Sequence, residues 1–211
     1  DGGSLELKNL HISGRAAPDS AGNAVVRSSR YSMLQPYRLR VEDCEITDLD
    51  VNHSFNFLTV FPSTFADLVE IHGSTFRNVS GHILALDQEK DDLGRYNAEY
   101  VAIADSVFEN VGKTLAALYR GGTDESTFGP HFSLQHSELT NVGHDKRNSS
   151  GASIFLHGVQ VANISDNRII DSRPIRVELT VGDPKTVIRN NQFSGTPAPE
   201  VSGGEIVLED N

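Results

Sequence analysis

Six side chains in the second half of this chain have types and spacing suited to proton transfer beside a carboxylate: Tyr119, Arg120, His131, His157, Arg176 and Glu178. Tyr and His can give or take a proton in a transition state, and Arg forks onto a carboxylate through two parallel N–H donors. Tyr119 and Arg120 open the segment Leu118-Tyr119-Arg120-Gly121-Gly122-Thr123-Asp124-Glu125-Ser126-Thr127-Phe128-Gly129-Pro130-His131, the longest departure from an otherwise regular chain. Its paired glycines permit unusual dihedrals and close backbone approach. The Lys-Ser/Thr ending of a phosphate loop is missing, so they do not mark a nucleotide site. Tyr119, Arg120 and His157 are the catalytic candidates, and Arg120, His131, Arg176 and Glu178 are the candidates for binding an acidic sugar. The competing reading is structural: Asp124 and Glu125 neutralise Arg120 and staple the loop, while His157, Arg176 and Glu178 form an ion-pair network on a solvated strand face.

No metal or other cofactor is expected on this chain. His11, His53, His72, His82, His136 and His144 show none of the short spacings of a zinc site. Asp87, Glu89, Asp91 and Asp92 lack the ligand-and-glycine order of a calcium loop and read as a solvated acidic loop. The single Cys44 excludes an internal disulfide and falls in a file of small residues with Ser74 and Ser106, which fits a buried thiol. The 211 residues carry a formal charge of −11, which argues against a nucleic-acid surface. An acidic body also repels an acidic polymer, which would need a local basic patch or a bridging cation. No run of about 18 apolar residues is present, so no membrane span is expected. The chain opens at Asp1 without Met, and the expectation is a processed protein or a piece of a longer one.

The elements that must position these residues follow from a phrase that recurs seven times. It has an apolar pair at alternate positions, a small or amide residue, and a bulky apolar anchor. The anchors are Ile12, Ile46, Phe76, Phe108, Leu139, Ile169 and Phe193, so the spacing is 24 to 34 residues. Five residues earlier stand Leu7, Val41, Ile71, Ile103, Leu134, Ile164 and Ile188. Alternation with period two makes a strand with one apolar face. Asp48, Asn78, Asn110, Asn141 and Asp171, two residues after their anchors, are expected to break the strand at a tight corner. Stacked Asn78, Asn110 and Asn141 are expected to form an amide ladder. A second apolar run follows most corners, as in Phe55–Val60, Ile83–Leu86 and Ile154–Leu156.

A repeat of this length with strand content predicts an all-β solenoid, a right-handed parallel β-helix of about seven coils, with a propeller as the alternative. The helix is expected over 1–196. The Pro- and Gly-bearing stretch 197–211 is expected to be a tail whose strand Ile206-Val207-Leu208 closes the far end. The near end has no capping helix, so another domain is expected to cover it.

Four stretches carry a family resemblance: 23–34, which contains Asn23-Ala24-Val25-Val26-Arg27; Asp50-Val51-Asn52-His53-Ser54-Phe55-Asn56-Phe57; Leu118-Tyr119-Arg120-Gly121-Gly122-Thr123-Asp124-Glu125-Ser126; and Ile154-Phe155-Leu156-His157-Gly158-Val159-Gln160. They resemble the C-terminal domain of alginate lyases of polysaccharide lyase family 6, the chondroitinase B-like group. The resemblance runs from about Leu5 to Thr196. It implies a two-domain, secreted or periplasmic bacterial enzyme whose halves are both parallel β-helices. It implies β-elimination on a uronate polymer, with calcium and the catalytic Lys and Arg on an N-terminal half. The Lys-Ser-x-x-Asn and Arg-His-Gly-like strands of that half are missing: Lys8, Lys90, Lys113, Lys146 and Lys185 all stand in other contexts. The implied partners are therefore the catalytic N-terminal domain of the same polypeptide and the alginate polymer, with homodimer formation compatible. The alternatives are a self-sufficient lyase using Tyr119, Arg120 and His157, or a non-catalytic alginate-binding module.

Overall fold

The computed structural model describes residues 3–28, 36–51, 54–89, 93–122, 129–178 and 182–211. All paired strands in it are parallel, and they stack into three sheets of eight, seven and seven strands. The first sheet holds Ser4–Lys8, Tyr37–Glu42, Ala66–His72, Ala98–Ala104, His131–Gln135, Val161–Ser165, Lys185–Arg189 and Glu205–Glu209. The second holds His11–Ser13, Glu45–Leu49, Thr75–Val79, Val107–Val111, Glu138–Val142, Arg168–Ile170 and Gln192–Ser194. The third holds Ala24–Arg27, Asn56–Thr59, Leu84–Leu86, Ala116–Tyr119, Ile154–His157, Ile175–Glu178 and Glu200–Ser202. Each coil visits the three sheets in turn, which is a parallel β-helix. Eight layers in the first sheet make a column on the order of 34 Å tall at the usual strand spacing.

The repeated phrase sets the register. Its anchors Ile12, Ile46, Phe76, Phe108, Leu139, Ile169 and Phe193 are direct partners on successive strands of the second sheet. Leu7, Val41, Ile71, Ile103, Leu134, Ile164 and Ile188 make the equivalent file in the first. Phe76 and Phe108 stack with centroids 5.2 Å apart, and Phe57 meets Phe76 edge-on at 5.0 Å. From Leu39 to Ile188 the inward side chains are buried.

The phrase is not one strand, as its alternation suggests, but two joined by a sharp corner. In each coil one residue there takes a left-handed backbone: Asn9, Asp43, Gly73, Asp105, His136, Asp166 or Asn190, with φ between 48° and 61°. Asn and Asp tolerate that region best among residues with a Cβ. The corner leaves a backbone N–H pointing along the column, and the next coil satisfies it. Cys44 N donates to Ser74 Oγ at 3.1 Å, Ser74 N to Ser106 Oγ at 3.1 Å and Ser106 N to Ser137 Oγ at 3.2 Å. Amides then take over: Ser137 N donates to Asn167 Oδ1 at 2.9 Å, Asn167 N to Asn191 Oδ1 at 3.1 Å and Asn191 N to Asn211 Oδ1 at 3.2 Å. Cys44 is buried in this file, as its small neighbours suggest.

Asp48, Asn78, Asn110 and Asn141 also have positive φ, from 55° to 57°. They bend their strands without ending them, because pairing resumes at Leu49, Val79, Val111 and Val142. The left-handed residue inverts the alternation, so the anchor and the residue three positions later both face inward and are buried. The expected amide ladder is present: Asn78 donates to Asp48 at 3.3 Å, Asn110 to Asn78 at 3.2 Å and Asn141 to Asn110 at 2.8 Å.

The stacking also runs through 197–211 rather than loosening there. Glu200–Ser202 pairs with Ile175–Glu178, and Glu205–Glu209 pairs with Lys185–Arg189. The expected strand Ile206-Val207-Leu208 lies within Glu205–Glu209; Ile206 and Leu208 are 41% and 50% exposed there, and Leu5 in the first strand is 43% exposed. Ser106→Ala should leave the Ser74 N–H without its acceptor inside the column. The expected cost is about 1–3 kcal/mol of unfolding free energy by denaturant titration, against a few tenths for the exposed Ser13→Ala.

Candidate functional site

Strand alternation builds the outer face of the third sheet. Leu118, Leu156 and Val177 point into the core and are at most 1% exposed. Their neighbours Tyr119, His157 and Glu178 are register partners on three successive coils and form one outward file. Ala117, Phe155 and Arg176 form the adjacent outward file. The structure therefore brings Tyr119, His157, Arg176 and Glu178 together, although two coil connections separate them in sequence.

Within the cluster, Tyr119 and His157 stack face to face, centroids 4.5 Å apart and planes inclined by 11°. His157 Nδ1 lies 3.1 Å from the Arg120 carbonyl oxygen. A carbonyl only accepts, so Nδ1 carries the hydrogen, and in the neutral ring the lone pair is on Nε2. The backbone locks this contact: Arg120 N donates to His157 O at 2.9 Å, and Gly158 N donates to Glu178 O at 2.8 Å. Gly158 has φ +71° and lies so close to the Arg120 carbonyl that a Cβ would collide with it, so glycine is required on both counts.

Arg176 is held by each of its three nitrogens. Nη1 donates to Ser150 O at 2.6 Å, Nη2 to Glu178 Oε1 at 2.7 Å, and Nε lies 3.2 Å from Glu200 Oε2. The ion-pair reading therefore describes Arg176 and Glu178 better than a carboxylate clamp does. The loop that supplies Ser150 is itself stapled. Arg147 donates to Asp145 through Nη2 at 2.6 Å, Nε at 2.9 Å and its backbone N at 2.7 Å. The Arg147 side chain holds the Asp145 carboxyl down to about 2. Asn148 Nδ2 bridges the Gly143 and Ala152 carbonyls at 2.9 and 2.8 Å, closing the loop. Burial lowers the Lys113 ammonium, and the Arg147 charge adds to that effect. The Ser150 contact had no signature in the sequence, because a backbone carbonyl acts there whatever side chain is present.

Two candidates are corrected. Arg120 is 1% exposed, so its guanidinium is not presented on the outer face and its contribution to the cluster is the backbone carbonyl. Its charge is felt instead at Tyr96, whose phenol donates to Glu99 Oε2 at 2.6 Å and is pushed up by burial and by Glu99. His131 starts a strand of the first sheet and meets Tyr100 edge-on at 5.1 Å, so it belongs to a different face from Tyr119 and His157. Asp124 and Glu125, offered as partners of Arg120, lie outside the described residues, as do His53, Asp91 and Asp92. Among the described residues no group of three or more His, Cys, Asp or Glu is placed to hold a metal ion.

A second feature, unremarked in the sequence, is a cleft of about 420 Å³ on the outer face of the first sheet. Ala102, Ala104 and Ser133 floor it beside the Arg40–Glu70 ion pair at 2.6 Å and His72, which reaches Asp105 at 3.1 Å. Its signal is the run of small residues at outward positions. Its one arginine is paired to Glu70 and Glu42 also lines it, so the cleft offers no unpaired arginine to an acidic ligand.

No protein-family model and no curated protein matches the sequence. Solved structures do. The PL6 family alginate lyase AlyGC superposes with a TM-score of 0.95 at 40% identity, covering 99% of this chain and 29% of that one. An arginine-to-alanine mutant of AlyGC gives a TM-score of 0.92 at 37% identity, covering 99% and 32%. The chain thus spans less than a third of the length of the lyase it matches.

The Asp145 staple yields a pH-dependent expectation. The folded carboxyl is depressed from its ordinary 3.8 to about 2, so its contribution is complete above the ordinary value and is lost as pH falls toward 2. Asp145→Asn should therefore lower stability near neutral pH by about 1 kcal/mol. The gap to the parent should close on acid titration followed by circular dichroism.

Proposed function

Since the chain belongs to polysaccharide lyase family 6 by fold and by sequence over 99% of its length, we propose that it is the C-terminal β-helix of a two-domain alginate lyase. In that role it supports and orients a catalytic N-terminal β-helix on the same polypeptide. The observation that carries this reading is the match of nearly the whole chain to less than a third of a lyase at 40% identity. The sequence adds that Lys8, Lys90, Lys113, Lys146 and Lys185 lack the context of the catalytic Lys implied by the family. The exposed core side chain Leu5 offers an apolar end for a neighbouring unit to cover. The whole enzyme would act on alginate outside the cytoplasm, in the periplasm or secreted, with homodimer formation compatible with either location.

β-Elimination on a uronate needs a base for the C5 proton, an acid for the departing 4-oxygen, and neutralisation of the charge that develops on the carboxylate. Any calcium serving that last need would sit on the catalytic half. A second reading, a self-sufficient lyase using Tyr119, Arg120 and His157, has one observation in its favour: the bare Nε2 of His157 beside Tyr119. Charge weighs against it, because Arg120 is buried and Arg176 is engaged with Ser150, Glu178 and Glu200. Neither presents a fork to the substrate carboxylate.

The isolated 211-residue chain, incubated with alginate, should produce no rise in the ultraviolet absorbance of the unsaturated product. Turnover comparable to that of a complete family member would overturn the assignment.

A further inference from the structure

We infer that the Tyr119–His157 step on the outer face of the third sheet is a non-catalytic sugar subsite that reads ring hydroxyls rather than carboxylates. The inference takes the identity of the polymer from the alginate lyase reading above, whereas the site itself rests on geometry.

Two polar atoms there have no hydrogen-bond partner among the described residues. Nδ1 of His157 is committed to the Arg120 carbonyl. In the neutral ring this leaves Nε2 as the acceptor, and neither Nε2 nor the Tyr119 phenol hydrogen-bonds to another of the described residues. Both side chains are half-buried, and neither atom is a buried orphan, so both are open to solvent. The ring stack at 4.5 Å sets the phenol, which donates and accepts, beside an acceptor. Adjacent hydroxyls of a pyranose ring offer the complementary pattern, and the aromatic edges supply apolar contact for its C–H groups. The step is also rigid. Both residues end strands locked in register, Phe155 packs 6.4 Å from the imidazole, and the Gly158 corner holds the Arg120 carbonyl that sets the tautomer. A site assembled on strands holds its geometry better than one on loops.

Charge decides which part of the sugar is read. Arg176 stands in the adjacent file, and Ser150, Glu178 and Glu200 take one N–H from each of its three nitrogens. Glu178 follows His157 in the same outward file, and Asp87 stands one residue beyond the registered pair Leu86–Leu118, next to Tyr119. A uronate carboxylate gains nothing at such a place, whereas neutral hydroxyls pay no penalty beside carboxylates and can donate to the bare nitrogen.

The test is titration of the 211-residue chain, by calorimetry and by ¹⁵N imidazole spectra, with alginate oligosaccharides and with the same oligosaccharides after carboxyl reduction. Both should bind saturably, with little salt dependence, and should shift the His157 Nε2 signal. Tyr119→Phe keeps the ring stack and removes only the hydroxyl. It should weaken binding roughly threefold to tenfold, the loss expected for one hydrogen bond, with unchanged thermal unfolding. His157→Ala should weaken it further, and His157→Gln, which keeps an acceptor, should recover part of the loss. Absence of saturable binding would overturn the inference. Loss of binding on carboxyl reduction, or affinity unchanged in both Tyr119→Phe and His157→Ala, would overturn it too. The absorbance assay runs on the same samples and separates the two claims: binding without turnover upholds both, no binding and no turnover removes only the subsite, and turnover removes only the supporting-domain assignment.

Discussion

Everything in this molecule hangs on how each coil satisfies the corner between its first and second strands. A left-handed residue turns the chain there and leaves a backbone N–H aimed along the column axis, inside the protein, where an unmet donor costs about 1–3 kcal/mol. The side chain of the following coil meets it, through Ser74, Ser106 and Ser137 in the upper layers and Asn167, Asn191 and Asn211 in the lower ones. This contact fixes how one coil lies on the next. A slip of one residue would break it and would also send every apolar side chain to the wrong face. The amide ladder from Asp48 to Asn141 repeats the same device at the second corner, with side chains bonding to side chains.

Once the register is fixed, the outer surface follows without further choice. Unlike charges face one another between neighbouring coils, as in Lys8–Glu42, Arg40–Glu70, Arg168–Glu138 and Lys185–Glu205. Each such exposed pair contributes little to stability. Their collective effect is to keep a chain of formal charge −11 from placing carboxylate over carboxylate in every layer. The same register sets Tyr119 on His157 and His157 beside Glu178. The loop from Gly143 to Ala152 then decides the fate of Arg176 by offering it a carbonyl. A group that reads in sequence as a cationic, titratable cluster is in the folded chain an aromatic step beside a neutralised arginine.

The column is stiff in its middle, where core side chains interlock and both ladders run unbroken, and it is open at its ends, where Leu5, Ile206 and Leu208 remain exposed. Between those ends the outer surface is carried by strands rather than loops, so its side chains keep the spacing that the register sets.

The column is legible in the order of residues: its period, its inward anchors, the small-residue file containing Cys44, and the Asn78–Asn110–Asn141 ladder. These are demands that each coil must meet locally, so they are written once per repeat. That order blurred the point at which one phrase becomes two strands, because a left-handed residue inverts the alternation without disturbing the apolar pattern. It gave the last strand, Ile206-Val207-Leu208, but read the stretch before it as a linker, since the Pro-containing connection there hides the short strand Glu200–Ser202. Only the tertiary structure decided which of the chemical residues meet. Tyr119 and His157 share a face because coil connections of different length bring them into register. His131, in spite of its place in the same loop segment, falls on another sheet. Arg120 has a buried side chain and contributes its backbone carbonyl, a group common to all residues and therefore silent in any sequence pattern. Side-chain direction and backbone contacts between coils belong to the stack as a whole, and no single repeat encodes them.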